Sequence, residues 1–266
     1  MNRVLPGIAL VLCWVFLLLK GSALLFAVVL LPALCIGAYE YGRMSLVEDS
    51  FQQSLILSLL SVFPLLSQLF FPALGLDDGF VLAFLLLTFW TLAGYREGFD
   101  SYSFLARGTF CLVWIGFMGA HLYLIRILPE GSAWLLILTG ITAGSDSGAY
   151  YTGRAFGKRK LSSLISPKKT IEGAVGGIFT GMLVASGLAI LLLETVPWSF
   201  VLISAVVIAV IGICGDLTES IIKRATGTKD SGTILGGHGG VLDRADSMLF
   251  AAPVLYYLLL IFFPVV

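Results

Sequence analysis

Asp216, Glu219, Ser220 and Lys223 fall at i, i+3, i+4 and i+7, the spacing of one helical face at the end of an apolar run. Asp243 and Asp246 stand at i and i+3 where the next apolar run begins. Between them lie Arg224, Lys229 and the glycines Gly227, Gly232, Gly236, Gly237, Gly239 and Gly240. Carboxylates hold hard cations such as Mg²⁺, whereas Lys, Arg and bare backbone N–H groups hold phosphate. Dense glycine allows the backbone conformations that wrap an anion. Residues 216–246 therefore carry both halves of a metal-dependent phosphate chemistry. The stretch is not a P-loop, because GxxxxGK[ST] is absent. Asp243 also suits simple capping of a helix N-terminus. His238 could bond phosphate or hold the loop, and its position among the glycines does not decide between the two.

A second polar stretch, residues 145–173, is basic. Asp146 lies inside an apolar run, where a carboxylate should face a wet cavity or a cation, or be hydrogen-bonded between helices. Arg154, Lys158, Arg159 and Lys160 read as anchors at a membrane surface. Pro167 should break the chain, with Thr170 and Glu172 opening the next helix. Lys168 and Lys169 then sit beside a helix N-terminus, which favours an anion, and both are expected to bind phosphate.

Composition says what must position these groups. Of 266 residues, 58% are apolar and 12% charged, and the mean hydropathy is +1.00, values foreign to soluble domains. The chain reads as an all-α integral membrane protein. Nine apolar runs qualify as spans, near 4–19, 23–39, 53–73, 79–95, 104–128, 132–152, 172–194, 198–222 and 245–264. The first is short enough that a cleaved signal peptide is a rival reading. Residues 1–130 supply N-terminal helices and 131–266 the catalytic region, either separately or as one continuous bundle. No polar connection is long enough for an independent core. Gly140, Gly144 and Gly148, like Gly173, Gly177 and Gly181, recur every four residues, so the sixth and seventh spans should pack closely. Zero net charge points to no nucleic-acid partner. The four cysteines lie in apolar runs without metal spacing and read as buried free thiols. With two histidines and no GxSxG, a nucleophilic triad has no support, and His121 reads as a satisfied bundle histidine.

Thirteen of the sixteen Lys and Arg residues lie in loops after even-numbered spans. This bias is read as N-terminus outside, C-terminus inside and both long polar loops in the cytoplasm.

Ser220-Ile221-Ile222-Lys223-Arg224, then Lys229-Asp230, then His238-Gly239-Gly240-Val241-Leu242-Asp243-Arg244-Ala245-Asp246 resembles the signature of the phosphatidate cytidylyltransferases (CDP-diacylglycerol synthases). Asp146-Ser147-Gly148-Ala149-Tyr150, Gly157-Lys158 and Ser166 to Gly173 also resemble that family, with Ser147 where Thr is more usual. The likeness spans about residues 135–250; the first half matches only as apolar spans. It implies that CTP and phosphatidic acid of the inner leaflet react with Mg²⁺ to give CDP-diacylglycerol and pyrophosphate. The attacking group is then the lipid phosphate, so the enzyme needs no nucleophile, only positioning and charge neutralisation. On this reading Asp216, Ser220 and Asp243 lead the metal ligands, with Glu219 and Asp246 beside them and a second cation plausible. Asp216, Lys223, Arg224, Asp243 and Asp246 are the catalytic set, with Lys223 and Arg224 holding the departing pyrophosphate. Asp146, Lys168, Lys169, Lys229, His238, Gly239, Gly240 and Arg244 are the substrate-binding set.

Nothing in the chain itself reads cytosine, so CTP rests on the resemblance. A CTP-dependent polyprenol or lipid-alcohol kinase is the nearer alternative and an anion transporter the more distant one. The oligomeric state is open, a homodimer included.

Overall fold

The computed structural model describes residues 4–46, 50–234 and 239–263. It is almost wholly helical. Helices α1 (Val4–Lys20), α2 (Ala23–Ser45), α3 (Ser50–Leu60), α4 (Phe63–Phe70) and α5 (Leu76–Ala93) come first. Then follow α6 (Ser101–Cys111) and α7 (Met118–Ile127), joined through a π-helical stretch, Leu112–Phe117. The last four are α8 (Gly131–Phe156), α9 (Ile171–Leu192), α10 (Trp198–Thr226) and α11 (Leu242–Phe262). Among the described residues, seven helices or joined pairs have the length and composition to cross a bilayer. Each expected span has a helical counterpart, with two refinements. The third breaks at Ser61–Val62, ahead of Pro64, into α3 and α4, and the fifth is the continuous α6–π–α7 rod.

Lipid explains why so much apolar surface stays exposed: Leu24, Phe89, Val175, Phe179 and Leu191 all point outward. Inside, small residues replace large ones. The glycine stripes of α8 and α9 do meet, and this is the most extensive helix pair among the described residues. A Cβ on Gly177 would lie 2.6 Å from the Ser145 carbonyl, and one on Gly173 would lie 2.8 Å from that of Ala149. α1 belongs to the same bundle: Trp14 Nε1 donates to Thr139 Oγ1 of α8 at 3.1 Å.

The connection between α8 and α9 is structured where a plain loop was expected. Strands β1 (Lys160–Ser162) and β2 (Ser166–Thr170) pair antiparallel, Lys160 opposite Thr170 and Ser162 opposite Ser166. Thr170 opens α9 as expected, its hydroxyl accepting from Gly173 N at 3.1 Å. Glu172 instead holds the hairpin's entry, accepting from the backbone N–H groups of Lys158 and Arg159 at 3.0 and 3.1 Å.

One expectation fails on parity. Arg126 donates to the Gly21 carbonyl, Glu194 N donates to Glu130, and Phe263 packs on Trp134. The loops after the first, fifth and seventh spans thus share one end with Phe263. The loops after the sixth and eighth lie at the other end, together with the start of α1. A chain with its long polar loops in the cytoplasm must therefore have its N-terminus on that same side and its C-terminus opposite. The expected arrangement combined two features that the bundle keeps at opposite ends.

The cysteines are free, although Cys13 and Cys214 are exposed rather than buried. His121 is buried, its Nδ1 2.8 Å from the Phe117 carbonyl, among Phe117, Tyr256 and Tyr257. Its role is packing.

Candidate active site

The polar end is built where α10 and α11 cross most closely. A Cβ on Gly215 would meet the Asp246 carbonyl at 2.8 Å and Phe250 and Ser247 at 3.1 Å. That contact needs glycine, and it sets the next residue, Asp216, alongside Asp246. Asp246 is within electrostatic reach of Asp216, Asp146 and Lys223. Asp146, reaching in from α8, is within reach of Asp216, Lys169 and Arg244 while remaining solvent-exposed. Three helices thus bring Asp146, Asp216 and Asp246 to one open cluster.

Two lysines enter the cluster from different elements. Lys169 of β2 pairs with Asp216, whose other oxygen accepts from Ser220 Oγ at 3.4 Å. Lys223 bridges Glu219, one turn back on α10, and Asp243 of α11. Glu219 is 2% exposed, and its Oε1 has no hydrogen-bond partner among the described residues. Uncompensated acids in so apolar a bundle would be costly, so the ammonium groups stabilise the cluster.

The glycine loop closes against this layer. α10 ends at Gly227, whose φ of +69° is the left-handed turn that side chains resist. The chain returns through Gly239, at φ +82° and pressed against the Asp243 carboxylate. Asp243 uses both oxygens there, accepting from Ser231 N at 3.1 Å and from Gly240 N at 2.6 Å. These donors lie in the loop and not in the first turn of α11, so Asp243 braces the loop and is not a simple helix cap.

The predicted site residues therefore separate. Asp146, Lys169, Asp216, Glu219, Ser220, Lys223, Gly239, Gly240, Asp243, Arg244 and Asp246 are brought to one end of the bundle. Lys168 is not part of the cluster: strand alternation turns Lys169 inward and leaves Lys168 exposed. A helix N-terminus was expected to present both lysines, and the hairpin that formed there presents one. Arg224 points away, donating from Nε to the Ile165 carbonyl at 3.3 Å, and Lys229 is exposed in the loop. His238 lies outside the described residues.

Sequence reasoning passed over Glu40. It is a buried acid of α2 whose Oε2 accepts from Leu242 N at 3.0 Å. The signal was available, because an ionisable residue inside an apolar span marks a site. The rule was applied to Asp146 and not to Glu40.

Hard-oxygen donors suit Mg²⁺. Among the described residues, however, no three acidic, His or Cys side chains converge as a ready metal cage. Mg²⁺ is usually held by one or two carboxylates together with substrate phosphates. Asp216 and Asp246 fit this role. Asp243, whose oxygens are engaged by two backbone N–H groups and Lys223, fits it less well.

A sequence model described as the Cytidylyltransferase family matches residues 1–262. The phosphatidate cytidylyltransferase of Bacillus subtilis (strain 168) is 36% identical over 267 residues, covering 98% of each chain. That of Staphylococcus epidermidis (strain ATCC 35984) is 35% identical over 97% of this chain and 98% of the relative. That of Staphylococcus saprophyticus is 38% identical over 70% of each.

Proposed function

The chain belongs to the cytidylyltransferase family and is a nucleotidyltransferase, and from that premise we propose that it moves the cytidylyl group of CTP onto phosphatidic acid. An oxygen of the lipid phosphate attacks the α-phosphorus of CTP. One P–O bond forms there as the bond to the β-phosphate breaks, and pyrophosphate leaves with the electron pair. No group on the enzyme becomes covalently bound.

The observation that carries this reading is the meeting of Asp146, Asp216 and Asp246 with Lys169 and Lys223 beside a glycine loop, at one end of a membrane bundle. Two anionic substrates repel each other strongly in a partly dehydrated pocket, so charge compensation is the main catalytic need. Lys169 is placed to leave Asp216 for a phosphate, with Ser220 orienting the freed carboxylate. Lys223 supplies positive charge at the loop neck, and Arg244 adds a further cation near Asp146. Mg²⁺, held by Asp216 and Asp246, would add neutralisation of the phosphoryl oxygens. The membrane setting fits a lipid and a water-soluble nucleotide meeting at one interface.

We place the site end in the cytoplasm, where CTP and most of the Lys and Arg residues lie. The N-terminus is then inside and the C-terminus outside. The test is purified protein in detergent with phosphatidic acid and each nucleoside triphosphate separately. CDP-diacylglycerol identified by mass, with stoichiometric pyrophosphate and loss of product on chelation of divalent metal, is the expected result. Release of CDP with a phosphorylated lipid would replace the reading with a lipid kinase.

A further inference from the structure

Glu40 lies far from the signature in sequence, yet its carboxylate sits at the neck of the glycine loop. It is 3% exposed. Its Oε2 accepts from Leu242 N at 3.0 Å, one of the orphan N–H groups in the first turn of α11, and from Ser231 Oγ at 3.4 Å. Both strands of the neck are shaped to it. A Cβ on Gly232 would collide with the Glu40 carboxylate, its Cδ at 2.6 Å and Cγ at 2.9 Å. A Cβ on Gly240 would meet Glu40 Cδ at 2.7 Å. Glycine at these two positions is therefore explained by the close approach of a carboxylate from another helix. Asp243 also ties Ser231 to Gly240. The neck is held between two carboxylates, one local and one supplied by α2.

We propose that Glu40 is a positioning residue that fixes the neck of the glycine loop, Ser231, Gly232 and Gly240, for nucleotide binding, linking the N-terminal helices to the site. The inference rests on the cytidylyltransferase reading for what the loop binds, but not for the clamp itself. Glu40 touches the loop backbone and does not belong to the Asp146–Asp216–Asp246 cluster. Its loss should lower the fraction of molecules with a competent loop, and apparent nucleotide affinity falls by that fraction. Turnover at saturating CTP should change little.

Glu40→Gln keeps the shape and one acceptor oxygen while removing the charge. We expect KM for CTP to rise about tenfold, the scale of a lost charge-assisted hydrogen bond. The kcat and the KM for phosphatidate should stay within about threefold, a split that general loss of structure would not produce. Hydrogen exchange followed by mass spectrometry should show faster exchange in a peptide covering 231–245, with α8 and α9 unchanged. Gly232→Ala should reproduce these effects in the wild-type background and add nothing in Glu40→Ala, where the colliding group is gone. Unchanged exchange at 231–245 in Glu40→Gln, or additive effects of Gly232→Ala and Glu40→Ala, would overturn the clamp. If wild-type protein makes no lipid product from CTP while exchange still rises in Glu40→Gln, the substrate reading fails and the clamp stands.

Discussion

Lys223→Met tests how the cluster is held together. Lys223 is the partner of both Glu219 and Asp243, but the two acids depend on it unequally. Without the ammonium, Asp243 keeps Ser231 N and Gly240 N as donors. Glu219 is left with no hydrogen-bond donor among the described residues, since its Oε1 is already without one. Removing one member of a buried ion pair costs roughly 3–5 kcal/mol, because the remaining charge is uncompensated. For a chain of this size that corresponds to a drop in unfolding temperature of roughly 6–20 °C. Replacing both members with uncharged groups of similar volume is often near neutral. Lys223→Met/Glu219→Gln should therefore unfold within a few degrees of wild type while remaining poorly active, because the cation at the loop neck is still missing. The assay is thermal unfolding in detergent at a fixed scan rate, with turnover measured on the same preparations. A single variant as stable as wild type, or a double variant no more stable than the single, would refute the dependence of Glu219 on Lys223.

Three other outcomes follow from the geometry. Lys169→Ala should lower turnover by about 100-fold, the range for losing a key electrostatic group; Lys168→Ala should stay close to wild type, and equal effects would show that the inward turn of Lys169 does not matter. Gly215→Ala forces α10 away from the Asp246 backbone and should destabilise by about 1–3 kcal/mol, whereas Gly187→Ala, with nothing within 4 Å of the new Cβ, should unfold like wild type. With native cysteines removed, Leu164→Cys at the hairpin tip should resist impermeant thiol reagents in intact cells and Glu194→Cys should react; the reverse pattern would put the site outside.

The segments and the chemistry were legible because lipid imposes one rule along the whole chain: long apolar runs become helices, and charges inside them mean something. The i, i+3, i+4, i+7 face of α10 and the contact between the α8 and α9 glycines follow from local spacing alone. What escaped depended on pairing distant residues. Nothing near Pro167 announced that Lys160 would face Thr170, so Lys168 and Lys169 were read as one pair when the strand gives them opposite directions. Gly232 and Gly240 were legible as flexible loop glycines, but the cause of their small size is Glu40, nearly two hundred residues away in the chain. The orientation was misread for a different reason: sidedness of loops is a parity relation, and it ties the N-terminus to the even-numbered loops.

The carboxylates of this end divide by what they hold. Glu40 and Asp243 accept from backbone N–H groups, so their charge is spent on fixing the loop. Glu219 is buried behind Lys223, which orients that lysine toward Asp243. Among the described residues, Asp146, Asp216 and Asp246 hold no loop backbone, and the long-range partner of Asp216 is Lys169 of β2. On the proposed reading, a site for nucleotide phosphates, lipid phosphate and metal needs both kinds. Rigid acids keep the walls in place without competing for incoming cations, and a few exchangeable acids change partners when substrates arrive. Spacing alone cannot separate the two, because Asp243 and Asp246 are the same residue type one turn apart. The distinction appears only once the loop returns across α11 and takes up the oxygens of Asp243, leaving Asp246 to the cluster.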